Sequence, residues 1–316
     1  HLGNKDFEKI LSRRQFIWPY FIPAAFSVDF HRHYGLGPPI AEAKQGTIFS
    51  MTWVAAADYR RANRLQERQQ HPCQVYGKVD HISTDLMVGA IASGSPDAKL
   101  SHIGSKTAAR AALHNLRQTM PAVRRARSDG SGDPARALYS DMMSAVLEQL
   151  RAAAFDNVAS VRDLATTLTV FAADPSGVAA MQIGDGLVVA RSHGQDYSLI
   201  FGQRAEDPNN ERLFVTSESP DDAMRVGVRQ GPVNFLCAAS ETLRDLSLKP
   251  QDGLPQKKFF RPLDRYTSVA PDDSEVHRGI RSFLRSDRLN NTLDHDLGLA
   301  LCGYRDQGEL FRASAA

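Results

Sequence analysis

Cysteine is scarce, and its placement excludes two kinds of protein at once. The three cysteines, Cys73, Cys237 and Cys302, lie far apart, are odd in number and form no CxxC pair. That argues against a disulfide framework and against a cysteine zinc site. They read as small buried hydrophobes of a chain kept in a reducing cytoplasm. An excess of one charge is lacking too: 38 Lys and Arg against 36 Asp and Glu leave a net +2. Neither nucleic acid nor an anionic membrane is therefore expected as a partner. Long apolar runs are missing. Phe16 to Phe26 (FIWPYFIPAAF) is interrupted by Pro19 and Pro23 and has about half the length that spans a bilayer. No secretory signal is expected ahead of it. Absent as well are a GxSxG elbow, an HExxH helix and a GxxxxGK[ST] loop, which removes support for serine-hydrolase, zincin and P-loop chemistry.

What remains has the balance of an ordinary globular protein, 42% hydrophobic and 23% charged over 316 residues. Residues 1–45 read as an N-terminal extension, dense in aromatics and proline, expected to pack on the body or on a partner. Residues 46–305 read as the main domain and residues 306–316 as a tail.

The clearest local pattern is Leu86 to Leu116. An apolar run to Ala92 reads as a strand covered on both faces. The turn Ser93-Gly94-Ser95-Pro96-Asp97 follows, and Ser101 caps a helix to about Leu116. On that helix Gly104, Ala108 and Ala112 form a smooth stripe that lets a sheet approach. Before it, Thr47–Ala57 and Cys73–Val79 read as strands separated by a polar connection, Asp58–Gln70. After it come a charged loop, Val123–Asp133, and a second helix from Pro134 to about Phe155. Ala165–Ala173, Gly177–Ile183, Leu187–Arg191 and Tyr197–Phe201 read as an antiparallel meander. Asn234–Ala239 adds an apolar run, Phe259–Tyr266 and Ser274–Leu289 read as helices, and Gly298–Cys302 as a last strand. Long helices beside antiparallel strands predict an α+β layered domain.

Several short motifs occur in a telling order: Pro72-Cys73-Gln74, then Ala90 to Gly94 with Ala98, Ser101 and Gly104, then Ala165-Thr166-Thr167-Leu168, Gln182-Ile183-Gly184-Asp185-Gly186, Phe259-Phe260-Arg261-Pro262-Leu263 and Asp294-His295-Asp296. From about Thr47 to Tyr304 the chain resembles the metal-dependent serine/threonine protein phosphatases, the PPM or type-2C family, in its bacterial branch. The resemblance implies a four-layer α-β-β-α sandwich, two antiparallel sheets flanked by helix pairs. It also implies chemistry in which carboxylates hold two divalent metals and a bridging water attacks phosphorus.

Hard cations such as Mg²⁺ and Mn²⁺ need oxygen ligands, chiefly carboxylates. Aligned with the family's ligand positions, this chain has Val75 for the aspartate of PCQDA and Ser93, beside Gly94, for the bridging aspartate. Glu241, Asp296 and Asp185 remain as residual ligands. Two metals about 4 Å apart repel and need several negative charges to hold them. The expectation is therefore a catalytically inactive, cofactor-free binding or regulatory module for a protein partner, a kinase or a phosphoprotein. The alternative is an active phosphatase binding Mn or Mg through Glu241, Asp296 and Asp185, with Asp80 or Asp85 recruited. Asp80, His81 and Asp85 otherwise read as a surface turn. Asp294-His295-Asp296 reads either as one side of a single-cation site or as a solvated turn. His31 and His33 are read as incidental. Arg124, Arg125 and Arg127 are read as a solvated loop or a contact for an acidic partner.

Overall fold

The computed structural model of the chain describes residues 51–62, 72–128, 132–202 and 213–306. The N-terminal extension with His31 and His33, and the tail beyond residue 306, lie outside the described residues.

Among the described residues, ten strands form two sheets of five. They are β1 (Met51–Arg60), β2 (Val75–His81), β3 (Met87–Ser93), β4 (Leu168–Asp174), β5 (Gly177–Ile183), β6 (Leu187–Arg191), β7 (Ser198–Leu199), β8 (Arg225–Gln230), β9 (Phe235–Ala239) and β10 (Leu297–Asp306). One sheet has the order β1-β10-β9-β6-β7 and the other β2-β3-β4-β5-β8, with every neighbouring pair antiparallel. Two long helices, α1 (Ser101–Ser128) and α2 (Gly132–Asp156), cover the second sheet. The helices α3 (Lys257–Val269), α4 (Asp273–Leu284) and α5 (Asp287–Thr292) follow late in the chain, α3 and α4 packing on the first sheet, and one-turn helices occur at Pro220–Ala223 and Arg244–Ser247.

Strand periodicity explains the layers. In β3, Met87 and Ile91 face the other sheet, where they join Trp53, Val188, Leu236 and Ala300 together with Phe171 of neighbouring β4. Val88, Ala90 and Ala92 face the opposite way, onto Ala108, Ala112, Leu116 and Met142 of α1 and α2. Gly89 leaves room for the Phe171 ring, since a Cβ there would sit 2.1 Å from Phe171 Cζ.

Several expectations need correction. α1 does not stop near Leu116 but continues through Pro121 to Ser128, so Arg124, Arg125 and Arg127 lie on a helix rather than in a loop. Arg, Gln, Met and Ala are strong helix formers, and the helix runs along α2. The meander is also only partly right. β4 and β5 form a hairpin, but β6 leaves for the other sheet and pairs with β7 and β9. The switch occurs at Gly184, whose φ of +98° is open to glycine and strained for other residues. The segment Ser274–Leu289 is two helices, because Ser286 and Asp287 restart the helix as N-cap and first-turn residues. Strand β8 (RVGVRQ) was not anticipated; its half-buried, arginine-bearing pattern is that of an edge strand.

α2 ends in a left-handed residue that is not glycine. Val158 N–H bonds Phe155 O at 3.1 Å and Ala159 N–H bonds Ala154 O at 2.9 Å, the paired bonds of a Schellman ending. Val158 has φ +51° and is 96% exposed. A β-branched residue is strained there, and no packing depends on it. Val158→Gly is expected to stabilise the fold by about 1 kcal/mol. An unchanged or lowered urea midpoint would contradict this.

Candidate functional site

Antiparallel register decides which residues share one end of the sandwich. Val75 opens β2 opposite Ser93 at the close of β3. Leu168 opens β4 opposite Ile183, which closes β5 and leads into Asp185. Ala239 closes β9 opposite Leu187 and Leu299, and Glu241 follows it. Arg60 closes β1 opposite Leu297, the residue after Asp296. The sheets meet here as well: a Cβ on Gly298 would fall 2.5 Å from Val75 Cγ1. Strand pairing thus carries Val75, Ser93, Asp185, Glu241 and Asp296 to the same end. Asp80, His81 and Asp85 are not brought to it. They lie at the far end of β2, where His81 pairs with Met87, about 20 Å away at the rise of a strand.

Asp296 is the most firmly placed of these carboxylates. Its Oδ1 accepts the Ala62 N–H at 2.8 Å and its Oδ2 the Gln74 N–H at 2.6 Å. Thr242 Oγ1 donates to its carbonyl at 3.1 Å. The exit of β1 and the entry of β2 are therefore fastened to one side chain. Cys73 lies beside it. Burial, reinforced by Asp296, pushes that thiol up to about 12, so it is a neutral thiol and not a nucleophile at neutral pH.

Asp185 sits in the turn between β5 and β6, 4.0 Å from the Arg244 guanidinium and about one-third exposed. Glu241 is half-buried at the start of a 3₁₀ turn, Glu241–Leu243. Val75 is 5% exposed and packs between the sheets. Ser93 is held through its backbone: its N–H donates to Thr167 Oγ1 at 3.2 Å and its carbonyl accepts the Thr167 N–H at 2.8 Å. Gly94 is required for packing, since a Cβ there would lie 2.6 Å from Ser101 Cβ at the start of α1.

Among the described residues, no three His, Cys, Asp or Glu side chains gather where one ion could be held. A buried valine has no ligand atom, and the retained carboxylates do not close into a cluster. Val75 and Ser93 therefore do not supply the carboxylates that the resemblance implies at their positions, and Asp185, Glu241 and Asp296 are the acids that strand pairing carries to this end.

Reading the sequence had missed three features of this end. Two are backbone donors, the N–H groups of Ala62 and Gln74, which no side-chain pattern reveals. The third is a pair of arginines, Arg225 and Arg244, which share a cleft with Asp185. Arg244 directly follows Ser240–Leu243 and was visible, but nothing in its spacing pointed to the cleft.

The family model described as protein phosphatase 2C matches residues 64–285. The chain belongs to the protein phosphatase 2C family. Within the family its likeness is to bacterial members. It is 28% identical over 167 residues to "Serine/threonine-protein phosphatase 3" of Escherichia coli (strain K12), an alignment covering 52% of this chain and 65% of the relative. The chain thus spans just under two thirds of that protein's length. Among solved structures, a bacterial serine phosphatase superposes with a TM-score of 0.51 at 12% identity, over 80% of this chain and 98% of that one. The catalytic domain of serine threonine protein phosphatase PstP, in complex with 2 manganese ions, gives 0.50 at 15% identity, over 81% and 100%. At such identities the structures establish the phosphatase 2C fold and nothing finer.

The opposite end of the fold carries a titratable contact. His81 Nε2 lies 3.0 Å from Asp273 Oδ2, and Asp273 Oδ1 accepts the Ala55 N–H at 2.8 Å. The bond to Asp273 raises the His81 pKa against the opposing effect of burial. Burial alone would raise Asp273, but the donors from His81 and Ala55 outweigh it and hold the carboxyl below its usual range. A raised histidine stabilises below its unfolded pKa of about 6.5 and loses that contribution as pH rises through the folded value. The lowered aspartate contributes above about 3.9 and loses its share in acid. The melting temperature is expected to fall as pH rises above about 6.5, and His81→Gln to flatten that limb. Parallel limbs in the two proteins would contradict the assignment.

Proposed function

We propose that the chain is a metal-dependent phosphatase acting on phosphoserine or phosphothreonine in proteins, with a metal site rearranged from the family pattern. The observation that carries this reading is membership of the phosphatase 2C family over most of the described domain. The likeness to a bacterial serine/threonine-protein phosphatase supports it, as do Asp296, Glu241 and Asp185 at one end of the sandwich. A divalent ion such as Mn²⁺ or Mg²⁺ would supply a Lewis acid and an activated water.

A second reading is favoured by Val75. Its methyls fill the space beside Gly298 where the family resemblance implies a ligand, and Ser93 offers a neutral oxygen where it implies a bridge. On this reading the domain retains the fold, binds a kinase or phosphoprotein, and performs no hydrolysis.

Turnover of phosphoserine and phosphothreonine peptides with and without Mn²⁺ separates the two. The enzyme reading expects metal-dependent turnover that falls about 100-fold in Asp296→Ala. Phosphopeptide binding with no turnover at millimolar metal would overturn it in favour of the second.

A further inference from the structure

Helix α3 (KKFFRPLDRYTSV) turns its apolar side inward, with Phe260 and Leu263 buried against the first sheet. Its one carboxylate, Asp264, is buried as well and bound to Arg191. At about 100° per residue, Lys257, Lys258, Arg261 and Arg265 fall within one arc of about 100° on the outer side. All four are exposed, as are Ser268 and Val269 beside them. The charged part of this face is therefore cationic throughout. Lys257 Nζ reaches Asp196 Oδ1 at 2.6 Å, an outlying and largely exposed pair. Lys258, Arg261 and Arg265 have no carboxylate partner among the described residues. This arrangement works against the helix that carries it. Lys257 with Arg261 and Arg261 with Arg265 are i,i+4 neighbours, and Lys258 with Arg261 is an i,i+3 pair, so each close pair along the face is repulsive. Lys257 and Lys258 also occupy the first turn, where the free N–H groups and the helix dipole favour acids; that turn has no acid. Neither feature helps the free domain to fold. Local choices that oppose the fold are the ones expected where a surface serves something else.

We propose that the outer face of α3 is a docking surface for a short acidic segment of a partner protein, gripped by Lys258, Arg261 and Arg265. Carboxylates arriving between these side chains replace repulsion by pairing, and the two guanidiniums can hold them with paired N–H donors. The extent of the face favours a protein ligand. Lys257 to Arg265 span about 12 Å along the axis, the length of two turns of an acidic helix, whereas a nucleic acid presents phosphates over a longer track. The chain as a whole, with 38 cations against 36 anions, adds no wider field for a polyanion. A bilayer fits no better, because the apolar side of α3 is already in the core and only Val269, 59% exposed, is left to enter it. Against a protein, Val269 supplies one apolar contact at the end of the cationic row. The docking surface is independent of whether the domain hydrolyses phosphate, since none of its residues belongs to the end of the sandwich that carries Asp185, Glu241 and Asp296.

The test titrates the full chain into a fluorescent oligo-glutamate peptide, read by anisotropy, with a single-stranded oligodeoxynucleotide and phosphatidylserine vesicles in parallel. The peptide is expected to bind, and more weakly as salt is raised. Arg261→Gln is expected to weaken binding about two- to fivefold, and Lys258→Gln, Arg261→Gln and Arg265→Gln together about tenfold or more. A control removes the same charge from the other helical layer through Lys99→Gln, Lys106→Gln and Arg151→Gln, all exposed and on or beside α1 and α2; it is expected to bind the peptide as the unaltered chain does. Because repulsion is relieved, the triple α3 variant is expected to melt no lower than the unaltered chain, so its loss of binding is not a loss of fold. Absence of peptide binding overturns the docking surface, and so does a control that weakens binding as much as the α3 variant. A lower melting temperature in the triple α3 variant removes the repulsion on which the inference rests. Vesicles or the oligonucleotide held through α3 more tightly than the peptide would overturn it in favour of a lipid or nucleic-acid surface.

Discussion

Replacing Asp264 with alanine is expected to destabilise the protein by about 3 kcal/mol, the largest effect of any single side-chain truncation considered. Asp264 lies on α3 and is 7% exposed. It receives Arg191 from β6 through two N–H groups, at 2.5 and 3.0 Å, and the Tyr197 hydroxyl at 2.7 Å. Both charged side chains are largely shielded, 21% and 10% exposed. The Tyr197 ring packs edge-on against Phe235 and tilted against Phe260. One carboxylate therefore joins the helical layer to the first sheet at three donors. Removing it leaves a guanidinium half out of water with no counter-charge, and that residual cost, more than the lost bonds, sets the magnitude. Tyr197, whose pKa burial and Asp264 push upward, stays protonated and keeps donating at any physiological pH. Exchanging both partners for apolar residues, Arg191→Met with Asp264→Leu, is expected to cost much less than Asp264→Ala alone. Urea denaturation of the three proteins checks the ordering; a double variant as unstable as the single one would show that the pair itself, and not the stranded charge, carries the energy.

The second large effect reverses a familiar sign. Gly104→Ala within a helix ordinarily gains about 1 kcal/mol from propensity. Here a Cβ would stand 2.0 Å from the Leu164 carbonyl oxygen and 2.8 Å from its carbon. Those are backbone atoms of a 3₁₀ turn, Val161–Leu164, that cannot swing aside. The turn is tied to the same place by Leu100 N–H to Asp163 O and Ser95 N–H to Ala165 O, both 2.8 Å. Overpacking against fixed backbone costs about 3 kcal/mol, so a net loss of about 2 kcal/mol is expected. A Gly104→Ala protein with an unchanged melting temperature would refute the tight contact.

Gly104 also illustrates what could be read from the sequence. The small-residue stripe Gly104, Ala108, Ala112 was legible as a close-packing surface, and Ala108 and Ala112 are fully buried against the second sheet. The neighbour of Gly104 was not legible, because the 3₁₀ turn it meets lies some sixty residues on, and the Ser160–Asp163 capping box that marks the turn does not say what packs on it. Two strands buried on both faces, Gly177–Ile183 and Leu187–Arg191, were found with correct ends, whereas Ala165–Ala173 began three residues too early, the strand being Leu168–Asp174. Strand β8 escaped because its arginines and glycine resemble a loop until the neighbouring strand is in place. The motif order located Val75, Ser93, Asp185, Glu241 and Asp296, and strand register puts them at one end. What fastens Asp296 was invisible, because every residue carries an N–H and only the fold decides which two point at it.

The contact between Val75 and Gly298 has a consequence for how this end can change. Most of the residues there sit on turns, where one side chain can be exchanged without disturbing its neighbours. Val75 does not: its methyls are the filling between two sheets whose backbones approach across a residue with no side chain. An acid installed at position 75 would arrive without those methyls, in a dry gap, with no partner to share its charge. A second alteration, widening or wetting the gap, must come with it or before it. Position 75 is therefore a ratchet tooth: the routes that restore an oxygen there pass through a less stable protein, whereas Ser93, held through its backbone, and the part-exposed Asp185 can each be exchanged while the glycines beside them stay.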